Sequence, residues 1–227
     1  FDNTSNKPCT IDVSTTVASF SVMAGSTITI TASGNLTVTG DVNLSTGTFN
    51  AGSTLLTVGG NWSVAEDALF NCGTSTVTFN SNASTMTITT GGSSFARVVF
   101  DSGNGNGIWK LQDDLTCTSL QVVDGKLMDN YYKTVTVNGN IDIADIANVL
   151  ASTGTWIQGA NGNVKTGYDK NKFNLFQIAD GVTSTRTGWL TTKKIVLGTN
   201  AVLKGAGGAY IGIASPFLND CIDMGSG

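Results

Sequence analysis

The chain has 227 residues, 28 of them Gly and only 2 Pro, and its charged share of 12% is about half that of an ordinary soluble protein. The net charge of −4 argues against nucleic acid as a partner, because a phosphate backbone is bound by a basic surface. No run of about 18 consecutive apolar residues occurs, so the sequence predicts no insertion into a membrane.

Short strand-like phrases rich in Thr, Val and Ile follow one another along the chain. Within a phrase, apolar and hydroxyl side chains alternate, as in residues 27–31 and 85–89, which is typical of half-buried strands. Turn signals such as Gly59-Gly60 and Asn138-Gly139 separate the phrases. The predicted strands begin near Phe20, Ile28, Leu36, Leu56, Val77, Val98, Leu115, Val135, Trp156, Phe176, Ile195 and Ile211.

One phrase of nine residues recurs with a regular spacing. Residues 36–44 reappear as residues 56–64, an offset of 20, and again as residues 135–143, a further 79 residues along. Such a period predicts a solenoid in which each turn buries its apolar face on the next. We therefore predict one all-β domain over 1–227, a right-handed parallel β-helix of about ten to eleven coils with a period of about 20 residues, whose repeats are clearest over 34–213. A β-sandwich or jelly roll, with antiparallel pairing of the same strands, is the alternative fold, and a helix over 141–150 is a local alternative to strands.

A longer repeat is also suggested by pairs of similar phrases. Phe95 matches Phe173 at an offset of 78 residues, and Trp109 matches Trp189 at an offset of 80. Together with the 79-residue offset of the nine-residue phrase, these pairs predict a duplicated unit of about four turns.

Three stretches carry a resemblance to a known style of repeat: residues 56–62, 91–95 and 107–116. With them, the chain resembles the Gly-, Thr- and Asn-rich β-solenoid repeats of bacterial surface proteins and of phage fibre or virion structural proteins. The resemblance implies an elongated scaffold that is extracellular, on a virion or on a cell surface. It also implies a frequent oligomer, with copies of the chain or neighbouring domains as partners, and it carries no catalytic residue over to this chain.

The search for catalytic or metal-binding residues yields weak candidates. The chain has no His, which removes Ser-His and Cys-His pairs. The acidic pairs Asp113-Asp114 and Glu66-Asp67 would converge only at a corner, with Asp101 one turn away. The loop 101–107 offers oxygen ligands for calcium but lacks the closing bidentate Glu of an EF-hand. We expect no enzymatic activity and assign no catalytic, cofactor-binding or metal-binding residue.

Aromatic, Thr and Cys residues leave further alternatives open. Trp62, Trp109, Trp156 and Trp189 favour core packing, with stacking on a surface glycan as the alternative. Cys9, Cys72, Cys117 and Cys221 allow either disulfides or buried thiols. A column of Thr near the same strand position raises ice binding as an alternative: Thr37, Thr57, Thr78, Thr116 and Thr136.

A solenoid exposes unpaired strand edges at its two ends, and those edges are normally covered by a cap, by charges or by another chain. Neither terminus of this sequence shows an amphipathic cap, including the final residues 224–227. We therefore predict that at least one end stacks on another domain or subunit. The function predicted from the sequence is a non-enzymatic structural or adhesive module of a virion or a cell-surface appendage, with a glycan- or ice-binding module, or less readily a polysaccharide-degrading enzyme, as the alternative.

Overall fold

The computed structural model describes residues 1–2, 4, 6–82, 85–130, 132–145, 147–150, 153–167, 172–205, 211–213 and 222–223. Among these residues there are 27 β-strands and no helix. The segment 141–150, for which a helix was the alternative, contains two strands instead. A search of the described residues accordingly finds no helix long and apolar enough to cross a membrane.

The first twelve strands repeat in an order of three, and each set of three makes one turn with three faces. Face A contains β1, β4, β7 and β10, face B begins with β2, β5, β8 and β11, and face C begins with β3, β6, β9 and β12. Their bounds are β1 (Cys9–Ile11), β2 (Thr15–Val17), β3 (Phe20–Val22), β4 (Thr29–Ala32), β5 (Leu36–Val38), β6 (Val42–Leu44), β7 (Gly47–Asn50), β8 (Leu55–Val58), β9 (Trp62–Val64), β10 (Ala68–Asn71), β11 (Thr76–Phe79) and β12 (Met86–Thr89).

The remaining fifteen described strands continue the coil with longer members that bend round a corner. Their bounds are β13 (Phe95–Phe100), β14 (Ile108–Leu111), β15 (Leu115–Val122), β16 (Lys126–Met128), β17 (Thr134–Val137), β18 (Ile141–Ile143), β19 (Asn148–Leu150), β20 (Thr155–Gln158), β21 (Gly162–Lys165), β22 (Lys172–Ile178), β23 (Thr183–Arg186), β24 (Leu190–Leu197), β25 (Val202–Gly205), β26 (Ile211–Ile213) and β27 (Ile222–Asp223). The first half of β15 pairs with β17 and its second half with β18. We call the file that runs through the first halves of β13 and β15 to β17 and β20 face D; it takes the place of face A in the order round the coil.

Every described strand pair is parallel, and each strand pairs with a strand in the next turn. Leu36 pairs with Leu56, and Val77 with Val98. The fold is a β-solenoid of about 9 turns with a period of about 21 residues. The predicted parallel solenoid is confirmed and the antiparallel sandwich is wrong, while the coil count is about 9 where ten to eleven were predicted. The right-handed coil stays a prediction from the general handedness of parallel crossovers.

The register shows that the predicted four-turn duplication is wrong. The stack of paired residues that contains Leu56 continues in the turns above with Val77, Val98, Leu120 and Ile141. Val135, which opens the third copy of the repeated phrase, pairs with Leu115 and lies on face D instead. The phrase recurs because a strand, a short corner and a second strand occur at more than one corner of the coil, and several of these corners contain Gly. Similar sequences therefore mark different corners.

Face A ends abruptly at β10. The segment that would form the next strand contains Gly91 and Gly92, whose φ angles are +58° and +76° and so lie in the left-handed region. The backbone nitrogen of Phe70 in β10 donates to the hydroxyl of Ser93, at 3.3 Å, where a strand above would have offered a carbonyl. This interruption leaves a recess in the surface at the corner that follows face C.

The interior is filled by inward-pointing side chains from all faces, and its lower half is an almost continuous chain of aromatic rings. Ring centroids of neighbouring members lie 4.9 to 6.4 Å apart, which is the range of favourable aromatic pairs. The chain consists of Phe20, Phe49, Phe70, Trp62, Phe95, Phe79, Phe100 and Trp109. A second group, Trp156 with Phe173 and Phe176, fills the upper turns.

Candidate functional site

The acidic pair Asp113-Asp114 lies at the corner that follows β14, and its two side chains serve different turns. The carboxylate of Asp113 accepts hydrogen bonds from the backbone nitrogens of Thr90 and Gly91, each at 2.8 Å, and from the Thr90 hydroxyl at 3.0 Å, all in the turn below. Asp114 Oδ1 accepts from the backbone nitrogen of Thr134 in the turn above, at 2.8 Å. Asp113 is therefore engaged in holding the turns together.

The loop 101–107 is held by its own polar groups. Asp101 Oδ1 accepts from the Gly103 nitrogen at 3.1 Å, and Asp124 Oδ2 accepts from the Gly105 nitrogen at 2.7 Å. Across the described residues, no group of three or more Cys, Asp or Glu side chains is arranged to hold a metal ion. Asp101, the one carboxylate of the proposed calcium loop, thus caps the loop backbone, and Asp124 from outside the loop does the same.

The structure brings Glu66 together with Asp113 and Asp114, which the sequence alone could not pair. All three line one open cleft of about 630 Å³, and Lys133 lines it as well. Asp101 and Asp67, the other acidic candidates, are not part of its lining. Sequence reasoning missed Lys133 because its turn lies above Asp113, and only the register of the coil shows that neighbourhood.

The predicted Thr column is shorter than the sequence suggested. Thr37, Thr57 and Thr78 do lie in one outward-facing file of face B, and Thr16 extends it downward. Above Thr78 the file continues as Val99 and Gln121. Thr116 and Thr136 pair with each other in face D, so they belong to a different file. The regular hydroxyl array therefore covers four turns only.

The tryptophan and cysteine alternatives are largely decided by burial. Trp62, Trp109 and Trp156 are at most 1% exposed, which confirms core packing for these three. Trp189 is half-buried. Cys9, Cys72 and Cys117 are free thiols, and Cys221 lies outside the described residues. Burial raises the pKa of Cys117 to about 12, because a thiolate would lose its hydration in the core.

The N-terminal end of the solenoid exposes the cross-section of its core. Its three strands, β1, β2 and β3, lie at the ends of their sheets. The inward-facing side chains of Ile11 and Val17 are only half-buried, whereas Ala32 and Val38, their partners in the turn above, are 3% and 2% exposed. The difference arises because no further turn lies below β1 and β2 in the described chain, whereas Phe1 packs on Phe20 at face C.

Backbone hydrogen bonds show which edges of this end are open. The Thr15 nitrogen donates to the Asn35 carbonyl and the Val17 carbonyl accepts from the Thr39 nitrogen, so both residues point upward to β5. Thr16, between them, presents its backbone groups away from the coil. Face C is different, because the Phe1 nitrogen donates to the Ser21 carbonyl at 2.8 Å and covers the edge of β3.

We call the open first turn, residues 9–22, the N-terminal end surface. Val13, on this surface, is 65% exposed, and Met23, which follows the surface in the chain, is 58% exposed. Open backbone groups and apolar surface together are the features by which one sheet adds to another. The N-terminal end surface is therefore a candidate functional site.

Comparisons with known proteins add no relative. A scan against protein-family models found no match, and searches of curated proteins and of solved structures found no match either. The geometry described above is thus what carries the functional argument.

Proposed function

We propose that this chain is a non-enzymatic structural or adhesive module of a virion or cell-surface appendage, which assembles by stacking its N-terminal end surface on a second copy or on a neighbouring domain. The observation that carries the proposal is the half-exposed core at that end. The interior of a solenoid is buried only when each turn has a turn on either side. Within the described chain, the first turn has a neighbouring turn on its upper side only.

The chemistry of the end surface favours another β-strand layer as its partner. The backbone groups of β2 that point upward are already bonded to β5. The backbone N–H and C=O of Thr16 point downward, away from β5, where a parallel strand added below could pair with them. The half-buried Cys9, Ile11 and Val17 would receive apolar side chains from the layer below. A non-enzymatic role is supported by the engagement of both Asp113 oxygens in hydrogen bonds between turns.

A proline at the open edge tests the proposal. The Thr16→Pro variant removes a backbone donor that makes no bond within the described chain, so the fold should persist, while an added strand loses its partner group. Sedimentation velocity over a range of concentrations should show association of the original chain. The variant should dissociate at least tenfold more readily.

Thr16→Ala is the matched control, since it shortens the side chain but keeps the backbone nitrogen, and it should associate like the original chain. A monomer at all concentrations would contradict self-association through this end. Equal association of the Thr16→Pro variant would place the contact elsewhere on the rod.

A further inference from the structure

The cleft at the corner that follows face C has a volume of about 630 Å³ and extends along the axis of the rod. Its lining begins at Glu66, passes Gly91 and Gly92, continues through Asp114 and ends at Lys133. These residues belong to four successive turns. Because neighbouring strands are about 4.8 Å apart, the cleft is about 14 Å long.

The floor of the cleft is bare backbone. A Cβ atom built on Gly92 would meet nothing within 4 Å, so the space above this residue is open. Gly91 and Gly92 both have positive φ, and the Gly91 nitrogen is fixed by the Asp113 carboxylate. The recess is therefore preformed and does not depend on a side chain moving aside.

The walls of the cleft carry acidic and basic side chains that are available to a ligand. Glu66 is exposed, and neither Glu66 nor Lys133 bonds to another side chain in the part of the chain that the structure describes. Asp114, which also lines the cleft, accepts a hydrogen bond from the Thr134 nitrogen through Oδ1. Carboxylates accept and an ammonium group donates, so a ligand with many hydroxyl groups can bond along both walls.

An exposed aromatic residue directly precedes the cleft-lining Lys133 in the chain. Tyr132, which precedes Lys133, is 78% exposed and has a φ of +65°, a left-handed conformation that is unfavourable for a bulky residue. Its nitrogen donates to the Thr153 hydroxyl at 3.1 Å, which holds this conformation. An exposed planar ring one residue from a cleft-lining ammonium group gives a carbohydrate an apolar face to meet in addition to hydroxyl-binding side chains.

We propose that this cleft binds a neutral oligosaccharide along the axis of the rod. Three carboxylates (Glu66, Asp113 and Asp114) and one ammonium group (Lys133) give the lining a net charge of −2. Uronic acids and sulfated sugars are therefore repelled, while neutral hydroxyl groups are not. The inference is independent of stacking at the N-terminal end surface, because the cleft lies on the side of the rod several turns away.

Binding is measured by isothermal titration calorimetry and saturation-transfer NMR with four probes: cellotriose, mannotriose, N-acetylated chitotriose and trigalacturonate. At least one neutral trisaccharide should bind with a dissociation constant of about 1 mM or tighter. Trigalacturonate should not bind. Failure of all three neutral probes, or tightest binding of trigalacturonate, would overturn the proposal.

Three variants locate the site. Gly92→Asn places a side chain on the bare floor and suits the left-handed backbone, and Tyr132→Asn removes the ring while relieving its φ. Both should keep the melting temperature of the original chain and weaken binding at least tenfold. Asp67→Asn, next to Glu66 but outside the lining, is the matched control and should bind normally. Equal affinity of the original chain and both cleft variants would show that the sugar binds elsewhere and would refute the cleft.

Discussion

Replacing Gly125 should lower the free energy of unfolding, because the Trp109 ring occupies the space that a side chain there would need. A Cβ atom at Gly125 would lie 2.8 Å from the Gly107 carbonyl oxygen and 2.8 Å from Trp109 Cζ3, and the residue has a φ of +86°. Gly181 has a similar φ of +68°, but a Cβ atom there would meet nothing within 4 Å. The two glycines therefore separate the cost of the backbone conformation from the cost of overpacking.

The magnitudes follow from this difference. Gly181→Ala should lose about 1 to 2 kcal/mol of unfolding free energy, which is the cost of a left-handed L-residue. Gly125→Ala carries the same cost and adds about 1 to 3 kcal/mol for a methyl group forced against backbone and a buried indole. Gly125→Ala should thus be the less stable variant by about 1 to 3 kcal/mol.

Urea unfolding followed by tryptophan fluorescence measures both variants, and equal m-values would show that they report the same transition. Gly125→Ala should cost less unfolding free energy in a Trp109→Leu background than in the original chain, because the smaller Leu side chain removes one of the two clashes. If Gly125→Ala and Gly181→Ala lose the same free energy, the packing of Trp109 against Gly125 is refuted.

Three further predictions follow from the buried thiol, the acidic corner and the Thr file. Because burial raises the pKa of Cys117 from 9.0 to about 12, the thiol of the unfolded chain ionises first as the pH rises, so stability is full below pH 9 and falls between pH 9 and 12. The loss of unfolding free energy should be about 2 kcal/mol at pH 10.5 and absent in Cys117→Val. Urea unfolding at pH 8 and 10.5 measures this loss. Asp113→Ala should lower the unfolding free energy by about 2 to 3 kcal/mol and Asp114→Ala by about 1 kcal/mol. The reason is that three donors lose their acceptor in the first variant and one donor in the second. Equal losses of free energy in urea unfolding would contradict this difference. The chain should show no thermal hysteresis in a nanolitre osmometer, because its aligned Thr residues extend over four turns only, and a measurable hysteresis would show that another face orders water.

The solenoid itself could be predicted from the sequence because its cause is local and periodic. Leu36 and Leu56 carry the same neighbours at the spacing of one turn, and the alternation of apolar and hydroxyl residues fixes which side faces inward. Burial of three of the four tryptophans followed from the same pattern, since intervals of 47 residues do not keep them on one outward file.

What the sequence could not supply was the assignment of each strand to a face. The phrase at Val135 resembles the phrase at Leu56 in its pattern, yet the first begins on face D and the second on face B, because β15 bends round a corner and carries two faces in one strand. That single bend also separates Thr116 from Thr78. The cleft depends on the same long-range register, which is why Lys133 could not be associated with Glu66 beforehand.

The edge of β3 covered by Phe1 gives the N-terminal end a rotational orientation. An incoming layer meets free backbone on two sides of the triangle, at Thr10 and Thr16, and an occupied side at Ser21. A partner with three equivalent edges could otherwise seat in three ways, each turned by a third of a rotation. Under the proposed stacking, the blocked side would select a single seating, and successive modules joined at this end would carry their side clefts in a fixed angular relation along a filament.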